Sequence, residues 1–516
     1  MARINSNVPS LIARASLNQA NEELQTRLHR LSTGLRINRG ADDPAGLIIS
    51  ERLRSEISGL NTAVKNSTRA SSVIATTEGA LAEVSNLLSS IKGLVVEAAN
   101  TGAVSDDERK ANQVQIDSAI DSITRISNSA SFGGLKLLNG SLDYTLSGVL
   151  TNQLAKVAVT SANFSGTANI KVDVRTLNSA QTANLFLSAS TGVFLSATTI
   201  AISGSKGVQE LSIGSGQTLA TVISAVNNIK ALTGVSASFL NNGPPVNPNS
   251  GLRFSSTDYG TKQFVSVDRI GGPAGGGWLK TYKAPDNFTL PATISLATLQ
   301  AGGNLISSNR DKGRDVTAII NGNLANGDGL NVSVQNSSSV SVQITLATTF
   351  ATTNNSASSF YVTGGGAQYQ LGGQINASQQ TNIGLQSIAA SRLGGTLTNG
   401  SLAFLSSLKT GGGNDLIASA NRNSFTEASG VLESSIDEVS TVRGRLGAFE
   451  KNTLQTNVRS LQTAVENLTA SESGIRDADF AEETSKLTRA QILSSAATSV
   501  LQLSNQQSQQ VLQLLK

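Results

Sequence analysis

The strongest constraint on how this chain folds is a helical repeat at both of its ends. Leu493, Ala496, Val500, Leu503, Val511 and Leu514 recur at spacings that return small or apolar side chains to one face of a helix. The positions between them are mostly Gln, Ser, Asn and Thr, and apolar residues continue to Leu515, beside the final Lys516. Chain ends fray unless something holds them, so a stripe reaching the terminus implies a partner. A matching stripe opens the chain: Ile4, Val8, Leu11 and Ala15, then Leu17, Leu24, Leu28, Leu31 and Leu35. Two such helices are expected to pair with each other and with neighbouring copies. The pattern is that of a subunit.

Between the ends, the helical period predicts further long elements. The first helix spans about 4–36 and stops at Gly34 and the Asn38-Arg39-Gly40 break. Asp43 then caps a new helix with Pro44 at its first position, where proline loses no hydrogen bond. From Ala45 to Ala99 there is no proline, and Leu53, Ile57, Leu60 and Val64, then Leu81, Val84, Leu88, Ile91, Val95 and Ala98, repeat at 4 and 3. Ser67, Thr68 and Ser71 stand where apolar residues were due, which reads as a stutter. Helices of that length, on the order of 80 Å at 1.5 Å per residue, belong to bundles and coiled coils.

Ser105 and Glu108 form a capping-box pattern that opens a third helix to about Asn128, with a stripe of Val114, Ile116, Ile120, Ile123 and Ile126. Leu135–Leu138, Asn139-Gly140 and Ser141–Leu146 read as a β-hairpin. Helical period returns near Ser424. Ile436, Val439, Val442, Leu446 and Phe449, then Leu454, Val458, Leu461, Val465 and Leu468, line one prolineless face. Asp479-Phe480-Ala481-Glu482 caps the last helix.

The middle, about 150–410, has a different composition. About 23 of the 74 charged residues lie there, in half the length, and six of the eight prolines fall between Pro244 and Pro291. Short β-branched runs such as Lys156–Thr160, Ile170–Val174 and Leu330–Val334 predict a β-rich region, with one helix at Leu219–Leu232. The fold class is therefore α+β and multidomain: a helical bundle or coiled coil from both ends around a β-rich insertion. The expected division pairs 1–44 with 476–516 as inner helices and 45–150 with 424–475 as an outer bundle plus hairpin. The insertion at 151–423 is expected to hold two subdomains, one including 207–267.

Composition removes several function classes. With no Cys, one His and one Met, zinc sites are excluded, no disulfide braces the fold, and no cofactor is expected. A Ser-His-Asp triad would need His29, which lies between Leu28 and Leu31 on a helix and is expected on its solvated face. Gly275–Gly277 and Gly364–Gly366 lack the Lys-Ser/Thr of a phosphate loop, and Gly327-Asp328-Gly329 reads as a hairpin tip. Asp311, Arg314 and Asp315 are the densest charges of the middle and are expected in a solvated turn, so no enzyme is expected. The net charge of +4 is spread without a basic stripe, which argues against nucleic acid. No stretch is expected to span a bilayer, and the first residues lack the apolar run of a cleaved signal.

Leu31–Asn38 with Asp42-Asp43-Pro44-Ala45-Gly46 resembles the N-terminal signature of bacterial flagellin. Val442–Ala448, Ile475–Ala481, Ala490–Leu493 and Val511–Lys516 resemble its C-terminal signatures, in family order. The likeness covers roughly 1–145 and 424–516. Gly216–Val267 is similar to a repeat found in flagellin and hook-associated insertions.

The resemblance implies a filament subunit exported unfolded without a cleaved signal and located outside the cell in the flagellum. A hook–filament junction protein is the alternative. Self-assembly through the inner helices then falls to Leu24, Leu28, Leu31, Leu35, Leu493, Val500, Leu503, Val511, Leu514 and Leu515. Outer-core packing falls to Leu53, Ile57, Leu60, Leu81, Leu88, Ile91, Val95, Val442, Leu446, Leu461 and Val465. Further implied partners are the filament cap, the hook-junction proteins and an export chaperone on the last helix. The Arg, Leu and Glu that related flagellins offer to an innate-immune receptor align with Ser90, Leu94 and Gln115, so weak or no recognition is expected.

Overall fold

The computed structural model describes residues 7–514 except 165–168, 188–192, 195, 241–250, 273–280, 286–304, 336–338, 399–400 and 423, with side chains at 508 and 511–514 also outside the description. Ile4 and Leu515 thus lie outside the described residues, as do Gly275–Gly277 and the side chains of Val511 and Leu514. The long helices, labelled in chain order, are α1 (Val8–Thr33), α2 (Pro44–Ala98), α3 (Asp106–Ser129), α4 (Leu219–Asn228), α5 (Thr426–Phe449), α6 (Gln455–Arg476) and α7 (Phe480–Leu514). The chain divides into two compact units. The first holds Met1–Ala70, Gln370–Gln379 and Lys451–Lys516, and the second Ser71–Tyr369 and Gln380–Glu450.

The capping chemistry read from the sequence sets the helix ends. Gly34 closes α1 at φ 70°, a left-handed conformation that needs no Cβ, and its amide donates to the Arg30 carbonyl at 2.8 Å. The Asp43 carboxylate accepts the Gly46 amide at 2.9 Å behind Pro44. Ser105 and Glu108 cap α3 reciprocally, and Asp479 Oδ1 accepts the Ala481 and Glu482 amides of α7. The two connectors of the first unit, after α1 and before α7, join edge to edge. The Arg36 amide donates to the Arg476 carbonyl (2.7 Å) and the Ala478 amide to Gly34 (2.9 Å).

The stutter and one odd spacing have structural causes. Ser67 is fully buried, returns its hydroxyl to the Ala63 carbonyl at 2.9 Å and accepts from Asn457 Nδ2 at 3.2 Å. Ser71 bonds the Glu450 carboxylate. The apolar stripe of α5 and α6 steps by five from Phe449 to Leu454, and there the backbone widens into a π turn over Glu450–Leu454. That step keeps Leu454 on the buried side.

Burial of the bundle residues follows the division into units. In the second unit Leu81, Leu88, Ile91, Val95, Val442 and Leu446 are buried, with Ile116, Ile120 and Ile123 of α3. In the first unit Leu53, Ile57, Leu60, Leu461 and Val465 are only half-buried. Val114, expected in the α3 stripe, is exposed, because the buried side of α3 instead takes Gln113, whose side chain bonds the Leu408 carbonyl and the Leu416 amide. α2 corrects another expectation: by length and composition it is apolar enough to cross a membrane, although Leu81, Val84, Leu88 and Ile91 on it are fully buried inside the protein.

The hairpin expected across Asn139-Gly140 is not formed. Gly133 and Gly134, both at positive φ, turn the chain earlier, so Ser131–Phe132 pairs with Leu135–Lys136. Tyr144–Ser147 instead joins a five-stranded sheet beside Ala357–Gly365, in the order 323–324, 317–320, 170–178, 357–365, 144–147. A four-stranded sheet, 326–328, 331–334, 340–346, 154–162, shares its core, which includes Val172, Val342, Ile344 and Phe360.

A second core joins two more sheets, one centred on 184–187 and the other on 198–204 and 264–271, with Leu219, Val222 and Val226 of α4. The helix expected at Leu219–Leu232 is α4 followed by a short turn of helix at Lys230–Thr233. Every strand pair described is antiparallel, as short runs joined by turns favour.

Tyr144 pins the first β core. Its hydroxyl accepts the buried Ala162 amide at 3.0 Å, and burial pushes its pKa up to about 12. A Cβ on Gly384 would stand 2.6 Å from its ring, and one on Gly366 2.8 Å from it, so these two glycines make the slot it occupies. Tyr144→Phe leaves that amide without an acceptor and is expected to cost about 1–3 kcal/mol. A urea unfolding midpoint followed by near-ultraviolet circular dichroism checks it.

Candidate functional site: the paired terminal helices

α1 and α7 run antiparallel, since partner residue numbers rise on one as they fall on the other. Asn7 Nδ2 donates to the Ser504 carbonyl (3.4 Å), Ser10 Oγ to Asn505 Oδ1 (3.0 Å), and Ser494 Oγ to Asn21 Oδ1 (2.9 Å). Arg27 reaches both oxygens of Glu483 at 3.1 and 3.2 Å, and Arg30 reaches Oε1 at 3.3 Å. The side chain of Glu483 is only 6% exposed. Among apolar residues, the seam buries the smallest: Ala13, Ala20 and Ala490. Leu17, Leu24, Leu31, Leu487 and Leu501 are half-buried.

The face expected to close this seam points elsewhere. Leu493, Val500 and Leu503 are 48%, 56% and 59% exposed, and Leu28 is exposed on α1, with Val8, Leu11 and Ile12. Leu35 is half-buried in the connector. Against its partner, α7 instead presents Glu483, Leu487, Ala490, Ser494, Ala497, Leu501 and Ser504, a strict alternation of 4 and 3. Reading for large apolar residues missed this heptad because it is built from small and polar side chains. Its spacing was the available signal. α7 therefore has two working faces. One holds α1, and the other carries unpartnered leucine, isoleucine and valine, including the shallow groove lined by Ser485, Thr488, Arg489, Ile492 and Leu493.

The remaining candidates do not converge on a chemical centre. His29 is exposed on α1. Asp311 accepts the Asn184 amide (2.7 Å), Arg314 bonds the Ser179 carbonyl (2.9 Å), and Asp315 accepts from Thr261 and the Gly329 amide. They are half-buried stitches between backbone segments, where a solvated turn was expected. Asn326–Asp328 pairs with Asn331–Val334 around Gly329, the hairpin tip read from the sequence. Among the described residues, no group of three His, Cys, Asp or Glu could hold a metal. Ser90 and Gln115 are exposed and Leu94 is half-buried.

A chain whose ends pair into an antiparallel helix couple, with a second apolar face left open, defines a self-associating structural subunit. Residues 4–143 match the family model of the bacterial flagellin N-terminal helical region, and residues 430–515 that of the C-terminal helical region. The chain is 28% identical over 529 residues to a flagellin of Salmonella rubislaw, covering 99% of each. It is 41% identical over 165 residues to the B-type flagellin of Pseudomonas aeruginosa, where it covers 32% of this chain and spans 34% of that relative's length. A solved structure of flagellar hook associated protein-3 from Legionella pneumophila is 12% identical, with 82% of this chain and 98% of that one covered and a TM-score of 0.30. Both ends of the chain thus match the helical regions of bacterial flagellin.

The two faces of α7 respond differently to substitution. Leu493→Ser with Leu503→Ser is expected to change the stability of the isolated chain by less than about 0.5 kcal/mol. Ala490→Leu overpacks the seam and is expected to cost about 1–3 kcal/mol. Amide hydrogen exchange along α1 and α7 reads both.

Proposed function

We propose that this chain is the structural subunit of the bacterial flagellar filament, polymerising outside the cell into a helical tube for swimming. The observation that carries this is the open apolar face of Leu493, Val500 and Leu503 on a helix already paired along its other side. Exposed apolar surface of that extent on a helix costs solvation unless a partner covers it. A head-to-tail contact that does not close into a ring yields a helical polymer, which a repeating subunit of this kind supplies. Val511, Leu514 and Leu515 extend the same face by sequence. The half-buried stripe of Leu53, Ile57, Leu60, Leu461 and Val465 is then completed by neighbouring copies.

The terminal pair becomes fully ordered on assembly, since a seam whose fully buried apolar residues are alanines, with its leucines only half-buried, buries little apolar area by itself. A chain without cysteine also suits passage through a narrow export channel in an unfolded state. Before export, the open face of α7 is the surface a chaperone shields. At its ends the polymer meets the cap and the junction proteins. With Ser90 and Gln115 in place of charged residues, the outer helices activate an innate-immune receptor weakly or not at all.

The test is polymerisation of the purified chain, viewed by electron microscopy. Long tubes are expected from the full chain, and none after removal of residues 500–516, with the β-rich cores still folded by circular dichroism. Tubes that persist unchanged in the shortened chain would sink the proposal.

A further inference from the structure

The seam between α1 and α7 poses a problem of register that its apolar residues do not solve. Aligned on the hydrogen bonds above, Ala13 falls opposite Leu501, Leu17 opposite Ala497 and Leu24 opposite Ala490. Sliding one helix by a heptad keeps the same kind of match: Ala13 meets Ser494, Leu17 meets Ala490 and Ala20 meets Leu487. Small faces small or medium throughout, so packing alone distinguishes the two arrangements poorly. The buried charge distinguishes them. In the observed register Glu483 falls opposite Leu31 and is reached by Arg27 and Arg30, four and one residues before it, whereas after the slide it falls opposite Leu24, where Ala20 and Glu23 hold those two places. Sliding the other way carries it beyond the end of α1 at Thr33.

We infer that Glu483, with Arg27 and Arg30, is the register-determining group of the terminal helix pair, and so fixes which apolar side chains α7 presents to neighbouring copies. This rests on the assembly proposed above. Truncating one member of a buried ion pair leaves an uncompensated charge, and a single polar contact in a heptad seam selects register at some cost in stability. Here the selection matters doubly. A heptad slide shifts α1 along α7 by about 10 Å at 1.5 Å per residue, and moves Leu28 relative to Leu493 and Val500 on the open face. The connector hydrogen bonds, from the Arg36 amide to Arg476 and from the Ala478 amide to Gly34, support the same register, and the ion trio supplies the buried charge.

The absence of native cysteine lets two introduced ones report the register directly. Gln19→Cys and Ser495→Cys, both exposed, carry spin labels, and their separation is measured in the isolated chain and in polymer diluted with unlabelled subunit. The parent pair is expected to give one short distance. Glu483→Gln is expected to add a second, longer distance, from a population slid by about 10 Å along the helix axis. Glu483→Arg is expected to lose the short distance, and Glu483→Arg with Arg27→Glu and Arg30→Glu to recover it. A short distance unchanged in Glu483→Gln and Glu483→Arg overturns the inference, as does a charge swap that folds without recovering it. Failure of the parent chain to form any tube overturns the assembly proposal instead, and leaves the distance in the isolated chain to decide register.

Discussion

The seam between α1 and α7 is what the rest of the first unit depends on. It joins side chains 497 residues apart in the chain, Asn7 and Ser504, and so closes the whole polypeptide on itself. Closing so long a loop costs conformational entropy that grows only slowly with length, but the seam has little apolar area with which to offset it. Alanines let the helix backbones approach closely, and the buried carboxylate of Glu483 is tolerable only because two guanidinium groups reach it. Such a couple is specific before it is strong. The larger apolar side chains are then free to face outward.

The same economy explains why burial differs along the bundle stripe. In the second unit, where Ile116, Ile120 and Ile123 of α3 are buried as well, Leu81, Leu88 and Ile91 lose all exposure. In the first unit α2 and α6 are tied by Arg476 to Glu51 and by Asn457 to Ser67, and the short segment Gln370–Gln379 covers part of their surface, with Gly373 against Gly59. Two helices cannot enclose an apolar stripe on every side. Their leucines and isoleucines accordingly keep part of their surface in solvent.

The β-rich middle is stabilised without that dependence. Each of its two cores is closed by facing sheets, and several of its few charges serve the backbone. Asp311, Arg314 and Asp315 bond the amides and carbonyls of neighbouring strands and loops, and Lys156 joins both oxygens of Glu438 on α5.

Much was written in local chemistry. Gly34, Asp43-Pro44, Ser105 with Glu108 and Asp479 set helix ends because each satisfies particular backbone groups within a few residues. The five-residue step from Phe449 to Leu454 likewise encodes its π turn, since only a wider turn keeps both residues on one face. Non-local choices were not legible. Tyr144–Ser147 abandons its neighbouring strand for one more than two hundred residues away, because the slot between Gly366 and Gly384 exists only once the sheet is assembled. The sequence by itself determined that both ends are helices with apolar faces. Only the tertiary structure decided which face turns inward, because a seam of alanines around a paired carboxylate brings two helices closer than leucines allow, and hydrophobicity along one strand of chain carries no record of that distance.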